Sequence, residues 1–344
     1  MGPRILPSPV AAPPIPELLR RAFSGAHPGP PVPPGPRGNP WWNGGAEPAE
    51  VAPGIRALAD ALLRAGEPHR TASGEPTSIP RRPIPSAGGA YPVQLHLVGS
   101  DGGRFAYDPD TDRWWRRSPA RERVAGWPSG VRPRGSWLVL AVQPGRSFGR
   151  YRHRAWPLWI ADTAYALQAA RFVLAGSHRV RLGPDADLRA LLAFPAAHDV
   201  DAWLRLGLAP LLPLATMEIA DDPAVLDSHR SLLRERRSPE RSEYLARAEG
   251  NPPSPGAERV ALASGQSWVR GASVVRVWSV PADPPADLLL RELWRAHLEA
   301  AELLTSALRS GTYGVRPVSG ISPEPGTWIL HASALLARSK ESDR

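Results

Sequence analysis

Ser78-Ile-Pro-Arg-Arg-Pro-Ile-Pro-Ser-Ala-Gly-Gly-Ala-Tyr-Pro92 runs without interruption into Val93-Gln-Leu-His-Leu-Val98. Pro85 fixes the backbone on the approach, Ser86 offers a hydroxyl, and Gly88 with Gly89 let main-chain amides come close to a flat or anionic ligand. Arg81 and Arg82 put positive charge beside those amides. Val93 to Val98 then alternates as a buried strand should. On chemistry alone the segment is equally a ligand-cradling loop and a proline-rich turn before a strand, so the rest of the chain has to decide.

Working outward, apolar residues at Ile55, Leu58, Ala59, Leu62 and Leu63 keep a helical period, with Gly66 placed as a stop. Arg104–Tyr107 is expected to pair with Arg113–Trp115 across an Asp-rich turn, and Trp137–Val142 to form an apolar strand. A second helix is expected over Leu158–Ala175, ending at Gly176, and a further strand over Leu211–Ala220. Residues 226–266 turn polar and Pro-rich and read as a linker. Beyond them come a strand at Ser273–Val280, a long helix capped by Asp283-Pro-Pro-Ala with an apolar stripe that includes His297, and an apolar segment, Thr327–Leu336. Upstream, thirteen of the first 40 residues are proline, so 1–40 reads as an extended arm. Within it Ile15–Phe23 could form two helical turns that dock on a partner surface, or could stay a mobile tail. The expected organisation is an arm at 1–40, a first domain at 41–225, the linker at 226–266 and a C-terminal α/β part at 267–344. Strands interspersed with long helices give an α+β or α/β class.

Composition removes several functions. The 344 residues contain no cysteine, which excludes disulfides, thiolate nucleophiles and thiolate-bound zinc or iron–sulfur clusters. Lys340 is the only lysine, so no P-loop exists. Asp108, Asp110 and Asp112 alternate like a calcium loop, but Arg113 and Pro119 stand where that loop needs Gly and Glu. The histidines lack metal-binding spacing, and no Gly-x-Ser-x-Gly occurs. A net charge of +9 comes from dispersed arginines, which points to compositional bias and to acidic protein or peptide partners in preference to nucleic acid. With no signal-like or membrane-length apolar run, a cytoplasmic protein without a membrane span is expected.

The opening stretch resembles the Pro-Ser-Ala-Gly-Gly-x-Tyr-Pro-x-x-x-x-Leu-Val signature of nitroreductase-like flavoproteins, and more narrowly the SagB-type dehydrogenases that act on ribosomally made peptides. Gly149-Arg-Tyr-Arg-His-Arg-Ala-Trp-Pro-Leu-Trp-Ile-Ala-Asp-Thr-Ala-Tyr-Ala-Leu-Gln168 is similar to that family's Lys-Tyr-x-x-Arg…Asp-Ala-Gly-His helix start, and Leu204-Arg-Leu-Gly-Leu208 is a weaker third match. The resemblance spans roughly residues 50 to 220. It implies the α+β nitroreductase fold, with a central mixed or antiparallel sheet flanked by helices, and FMN bound at the interface of a homodimer. It also implies oxidation of thiazoline or oxazoline rings of a precursor peptide to azoles, alongside a cyclodehydratase, in azole or thiopeptide biosynthesis. By position, Arg81, Arg82, Ser86, Ala87, Gly88 and Gly89 would hold the flavin. Arg236-Arg237-Ser238-Pro-Glu-Arg241 resembles the Arg-Arg-Ser-x-x-Arg phosphate motif that opens nitroreductase domains, where a second, degenerate half would begin; a solvated linker is the favoured alternative there.

The departures bear on mechanism. Arg150-Tyr151 replaces the family's Lys-Tyr, and Ala164-Tyr165 replaces Gly-His. Guanidinium stays protonated and is a poor base, so Tyr151, or His153 two residues on, is left to take the proton, unless the family base is dispensable. Two other functions compete with azoline oxidation: a non-catalytic scaffold subunit that kept the fold, and a generic NAD(P)H-dependent nitro or quinone reductase.

Overall fold

The computed structural model describes residues 15–23, 46–71, 74–117, 135–184, 186–192, 211–236, 238–321, 324 and 326–338. The rest of the proline-rich arm, Leu204–Leu208 and Arg237 lie outside the described residues. Strands are β1 (Ala46–Ala49), β2 (Pro68–Arg70), β3 (Pro76–Pro80), β4 (Val93–Val98), β5 (Arg104–Asp108), β6 (Arg113–Arg117), β7 (Ser136–Val142), β8 (Val180–Leu182), β9 (Leu212–Ile219), β10 (Val274–Pro281), β11 (Tyr313–Val318) and β12 (Thr327–Ala337). Helices are α1 (Ile15–Phe23), α2 (Pro53–Leu63), α3 (Phe148–Tyr151), α4 (Ala155–Val173), α5 (Ala186–Leu191), α6 (Asp227–Glu235), α7 (Arg241–Gly250), α8 (Pro255–Ser264) and α9 (Ala286–Ser310).

The order β1-β6-β5-β4-β7-β9-β8 makes one fully antiparallel sheet, and β10-β12-β11 makes a second. β4 sits centrally and is buried at every residue, because both faces of the sheet are covered. On one face Leu95, Leu138 and Leu140 share a core with Leu58 and Leu62 of α2 and Ile160 and Leu167 of α4. On the other, Val98, Val139 and Ala141 pack with Leu188, Leu191 and Leu192, so Gln94 and His96 of β4 are buried too. Each such leucine contributes about 1.5–3 kcal/mol when fully buried.

α4 and α9 carry the contact between the two sheets' halves. The Trp294 indole N–H donates to Gly183 O at 2.7 Å, and the Gln168 amide donates to Thr305 Oγ1 at 3.3 Å. α1 docks on this chain's own C-terminal half: Arg20 pairs with Asp283 at 3.3 Å, and Phe23 stacks on Trp328 with centroids 5.5 Å apart.

Several expectations are corrected. Residues 226–266 are not a bare linker, since they build α6, α7 and α8. Their polar composition is compatible with helix because each buries only a narrow stripe: Leu233, then Tyr244, then Ala257, Val260 and Ala261. Glu240 and Glu243 close a capping box on α7, and Ser254 Oγ caps α8 by accepting from Ala257 N–H at 3.2 Å. Asp283 is not the cap of α9; Pro285 holds that position, while Asp283 turns to Arg20. Gly66 does not terminate α2 in a left-handed turn; its N–H donates to Arg81 O at 2.8 Å, joining the chain to the β2–β3 hairpin.

Candidate functional site

After β3 the chain passes through Pro83, Ile84 and Pro85 into a 3-10 turn over Ala87–Gly89. The Ser86 hydroxyl donates to Asp162 Oδ2 at 2.6 Å and accepts from Tyr91 N–H at 2.9 Å, while Ala87 N–H donates to Asp162 Oδ1 at 3.2 Å. One carboxylate on α4 therefore clamps the turn to the helix. Asp162 is 4% exposed, and burial pushes its carboxyl up to about 7 even though the Ser86 hydroxyl and Ala87 amide pull it back. Tyr91, with φ +46°, locks the far side: its hydroxyl lies 3.2 Å from Arg82 N and 3.1 Å from His69 Nε2, and the Arg82 guanidinium stands over its ring.

Gly88 shows why the turn needs glycine. Its φ is +60°, and a Cβ there would fall 2.3 Å from Tyr151 Oη and 3.4 Å from an Arg150 guanidinium nitrogen. Tyr151 thus faces the cradle directly. It ends α3, which is held to α4 by the Trp159 indole N–H donating to Ser147 Oγ at 2.7 Å. Arg152 follows with φ +53° and ψ −135°, a strained position for a side-chain-bearing residue. Burial raises the Tyr151 phenol above its ordinary pKa, Arg150 opposes this, and Asp162 adds to it. The phenol is accordingly protonated at neutral pH and has an O–H to donate, in place of the phenolate that a base would need.

The C-terminal half supplies the opposite wall. Arg236 Nε donates to Pro83 O at 2.6 Å and its Nη1 to Ser238 Oγ at 3.3 Å, which ties the 236–241 stretch to the Pro-Ser-Ala-Gly-Gly loop 153 residues upstream. The favoured solvated-linker alternative for this stretch is therefore corrected. Arg316 Nη1 reaches Pro239 O at 2.9 Å. Between the walls lies a cavity of about 1030 Å³, at the upper end of the roughly 300–1,000 Å³ that small-molecule sites occupy. Ten arginines and four acidic residues line it, so its field favours an anion.

The structure brings Arg81, Arg82, Ser86, Ala87, Gly88, Gly89, Arg150, Tyr151, Arg236, Ser238 and Arg241 together on this one cavity. They are not equivalent. Arg82 is 5% exposed and spends its charge on Asp110, 3.2 Å away, so it braces the loop from behind. Arg150 and Arg241 are exposed at the cavity. His153 is not on the cavity; the kink at Arg152 leaves it among Arg21, Arg152 and Arg154, which together with burial lower its pKa. Asp162, Tyr91, His69, His297 and His331 also line the cavity, and none of them is assigned a role by sequence alone. Two of them carried a signal: Tyr91 is the tyrosine of the Pro-Ser-Ala-Gly-Gly-x-Tyr-Pro stretch, and Asp162 falls on the aspartate of the Asp-Ala-Gly-His match and is the lone carboxylate of α4. Tyr165, standing where the resembling family has His, places its hydroxyl 3.1 Å from His331 Nε2 of the other half.

Among the described residues no cluster of three or more His, Asp or Glu side chains could hold a metal, and no helix is long and apolar enough to cross a membrane. The Asp108–Asp112 stretch is a hairpin turn, in which Asp108 Oδ1 accepts from Asp110 N–H at 3.1 Å.

No family model and no curated protein matches the chain. Among solved structures it is similar to a candidate nitroreductase from Anabaena variabilis ATCC 29413, with a TM-score of 0.56 at 11% identity over 83% of this chain and 88% of that one. It also overlaps loosely with the E. coli microcin synthetase McbBCD complex bound to truncated pro-MccB17, at a TM-score of 0.30 and 17% identity over 62% of this chain and 83% of that one. The antiparallel sheet, the flanking helices and the extent of the first match establish an α+β, nitroreductase-like fold.

Proposed function

We propose that the chain is an FMN-dependent dehydrogenase that oxidises thiazoline or oxazoline rings of a ribosomally made precursor peptide. The observation that carries this reading is the meeting of two distant motifs, Pro85–Gly89 and Arg236–Arg241, on one arginine-lined cavity. The residues fit the cofactor: Gly88 leaves a bare-backbone cradle that a Cβ would fill, and Arg236, Ser238 and Arg241 offer cationic and hydroxyl donors to a phosphate. Bound FMN would supply the two-electron acceptor that no side-chain set here provides.

The chain's own residues then have three tasks. The Ser86–Asp162 clamp fixes the cradle against α4. Arg150, exposed at the cavity and stacked over the Tyr151 ring with its guanidinium carbon 5.4 Å from the centroid, supplies fixed positive charge. Tyr151 presents a protonated hydroxyl beside Gly88, suited to hydrogen-bond a ring heteroatom and so make the adjacent ring C–H more acidic, its proton leaving to solvent while the hydride leaves to the bound two-electron acceptor. The arginine excess at the cavity suits an acidic precursor peptide as it approaches, an association that salt should weaken.

The test is direct. Purified protein is titrated with FMN by fluorescence quenching, and the loaded protein is mixed anaerobically with an azoline peptide or with NADPH. Bleaching by the azoline peptide alone supports the proposal. Bleaching by NADPH alone replaces it with a nitro or quinone reductase. Absence of FMN binding leaves a scaffold subunit, the second reading, which the loss of the family's lysine at position 150 favours.

A further inference from the structure

His297 projects from α9 into the wall of the cavity, is 2% exposed, and has no hydrogen-bond partner on either ring nitrogen among the described residues. Its ring meets that of His331 on β12 edge-on, with centroids 4.8 Å apart, and His331 in turn bonds Tyr165 of α4. All three side chains line the cavity. Burial keeps both imidazoles neutral: His331 is pushed down to about 4, and His297 is lowered well below its ordinary value with His331 adding to the effect. A neutral imidazole has one N–H to give and one lone pair to receive, and leaving both unmet in a buried position is destabilising. The same stripe of α9 is otherwise filled with Leu289, Leu293, Trp294, Leu304, Thr305 and alanines, and the two polar side chains among these are hydrogen-bonded, Trp294 to Gly183 O and Thr305 to Glu302 O, so only His297 is left with its polar atoms unmet.

We propose that His297, with His331 and Tyr165, forms a neutral hydrogen-bonding subsite that receives the polar edge of an uncharged heterocycle. The choice of an uncharged ligand follows from the donor set: none of the three carries charge at neutral pH, in contrast to the arginines elsewhere on the cavity. The subsite rests on the proposed function only for the source of that ring. The flavin ring system and an azoline or azole both present ring nitrogens to such a set.

The experiment titrates wild type, His297→Leu, His297→Gln and Tyr165→Phe with FMN, riboflavin and 2-phenylthiazoline by calorimetry, and records melting temperatures without ligand. His297→Leu should weaken ring binding about tenfold or more, the scale of one lost hydrogen bond to a buried polar group. Its unliganded melting temperature should hold or rise, because leucine removes an unmet polar group, and His297→Gln should recover part of the affinity. Equal losses for FMN and riboflavin assign the subsite to the flavin ring; a loss confined to 2-phenylthiazoline assigns it to the substrate ring. Unchanged affinity for all three probes in folded His297→Leu overturns the proposal, as does a fall in melting temperature with affinity intact. Should wild type bind neither flavin, the cofactor reading fails by itself and 2-phenylthiazoline decides the subsite, with no binding there overturning it as well. Tyr165→Phe repeats the comparison if His297→Leu does not fold, and unchanged affinity in that variant has the same overturning force.

Discussion

Asp162 is the residue on which the site's geometry and its pH response both depend. Its folded pKa, about 7, lies above its ordinary value of 3.8. Between those values the folded protein keeps a proton that the unfolded chain has released, so stability is full below about pH 4, falls as pH rises towards 7, and levels off above it. About three pH units at roughly 1.4 kcal/mol each give a loss of about 4 kcal/mol across that window. Denaturant unfolding at pH 4.5, 6 and 7.5 should show this decline, and Asp162→Asn should flatten it; an equally steep decline in Asp162→Asn would assign the slope to other groups. Gly88 gives a second prediction. Gly88→Ala drives a Cβ against Tyr151 Oη and places a side chain at positive φ, at a cost of roughly 1–2 kcal/mol, so FMN affinity should fall by about tenfold or more. Because the nearest clashing atom is the hydroxyl, adding Tyr151→Phe should return part of that loss, and strict additivity in the double-mutant cycle would show that the two groups do not meet. Tyr151→Phe alone removes only the proposed hydrogen-bond donor to the ring. Flavin content should persist while azoline oxidation drops roughly a hundredfold, the usual scale for a positioned acid or base, and unchanged turnover in the loaded variant would end that role for Tyr151.

Among the elements, α1 is held chiefly by the side chains at its C-terminal end. Phe23 is 8% exposed and stacks on Trp328, Leu19 is fully buried, and Arg20 makes an ion pair on a surface too exposed to contribute much. Phe23→Ala should therefore undock α1 before anything else unfolds. Losing about 3 kcal/mol of packing raises the undocked population roughly a hundredfold. Brief trypsin treatment should then cut after Arg20 or Arg21 far faster than in wild type while the global melting transition stays near its original position; unchanged cleavage would mean that α1 is held by other contacts. That docking was not legible in a short amphipathic stretch flanked by prolines, because the surface that receives it is assembled from α4 and the Arg152–Arg154 turn together with α9 and β12, the last two more than 260 residues away. Legibility elsewhere followed burial. β4, β7, β12 and α4 announced themselves because central elements need long apolar runs. β1 and β11 did not: Ala46-Glu-Pro-Ala49 and Tyr313-Gly-Val-Arg-Pro-Val318 carry prolines, which only edge strands tolerate, and both lie at sheet edges. The Pro-Ser-Ala-Gly-Gly loop could be read locally, whereas the Ser86–Asp162 clamp and the pairing of His297 with His331 join separate elements and leave no spacing to detect.

At the scale of the whole molecule, the cavity's walls come from both halves of a single chain. The loop at 85–89 and the α3–α4 junction stand on one side; Arg236, Ser238, Arg241, His297, Arg316 and His331 stand on the other. The resemblance implies flavin at the interface of a homodimer; here residues of both halves of one chain line the cavity, and the bond from Arg236 to Pro83 joins them. α4 and α9 bury the contact between the halves, with Trp294 on Gly183 and Tyr165 on His331 crossing it. A site completed by a second copy loses affinity on dilution, because dissociation removes part of it; one completed within the chain does not. The expected result is one FMN per chain and a dissociation constant independent of protein concentration from well below to well above any self-association midpoint, read by fluorescence titration alongside sedimentation. Affinity that weakens in step with subunit dissociation, or half an equivalent of flavin per chain at saturation, would place an essential wall on a partner instead. Salt supplies the internal control: the advantage of FMN over riboflavin depends on phosphate meeting arginine and should shrink as ionic strength rises, whereas stoichiometry, set by which covalent chain carries the walls, should not move.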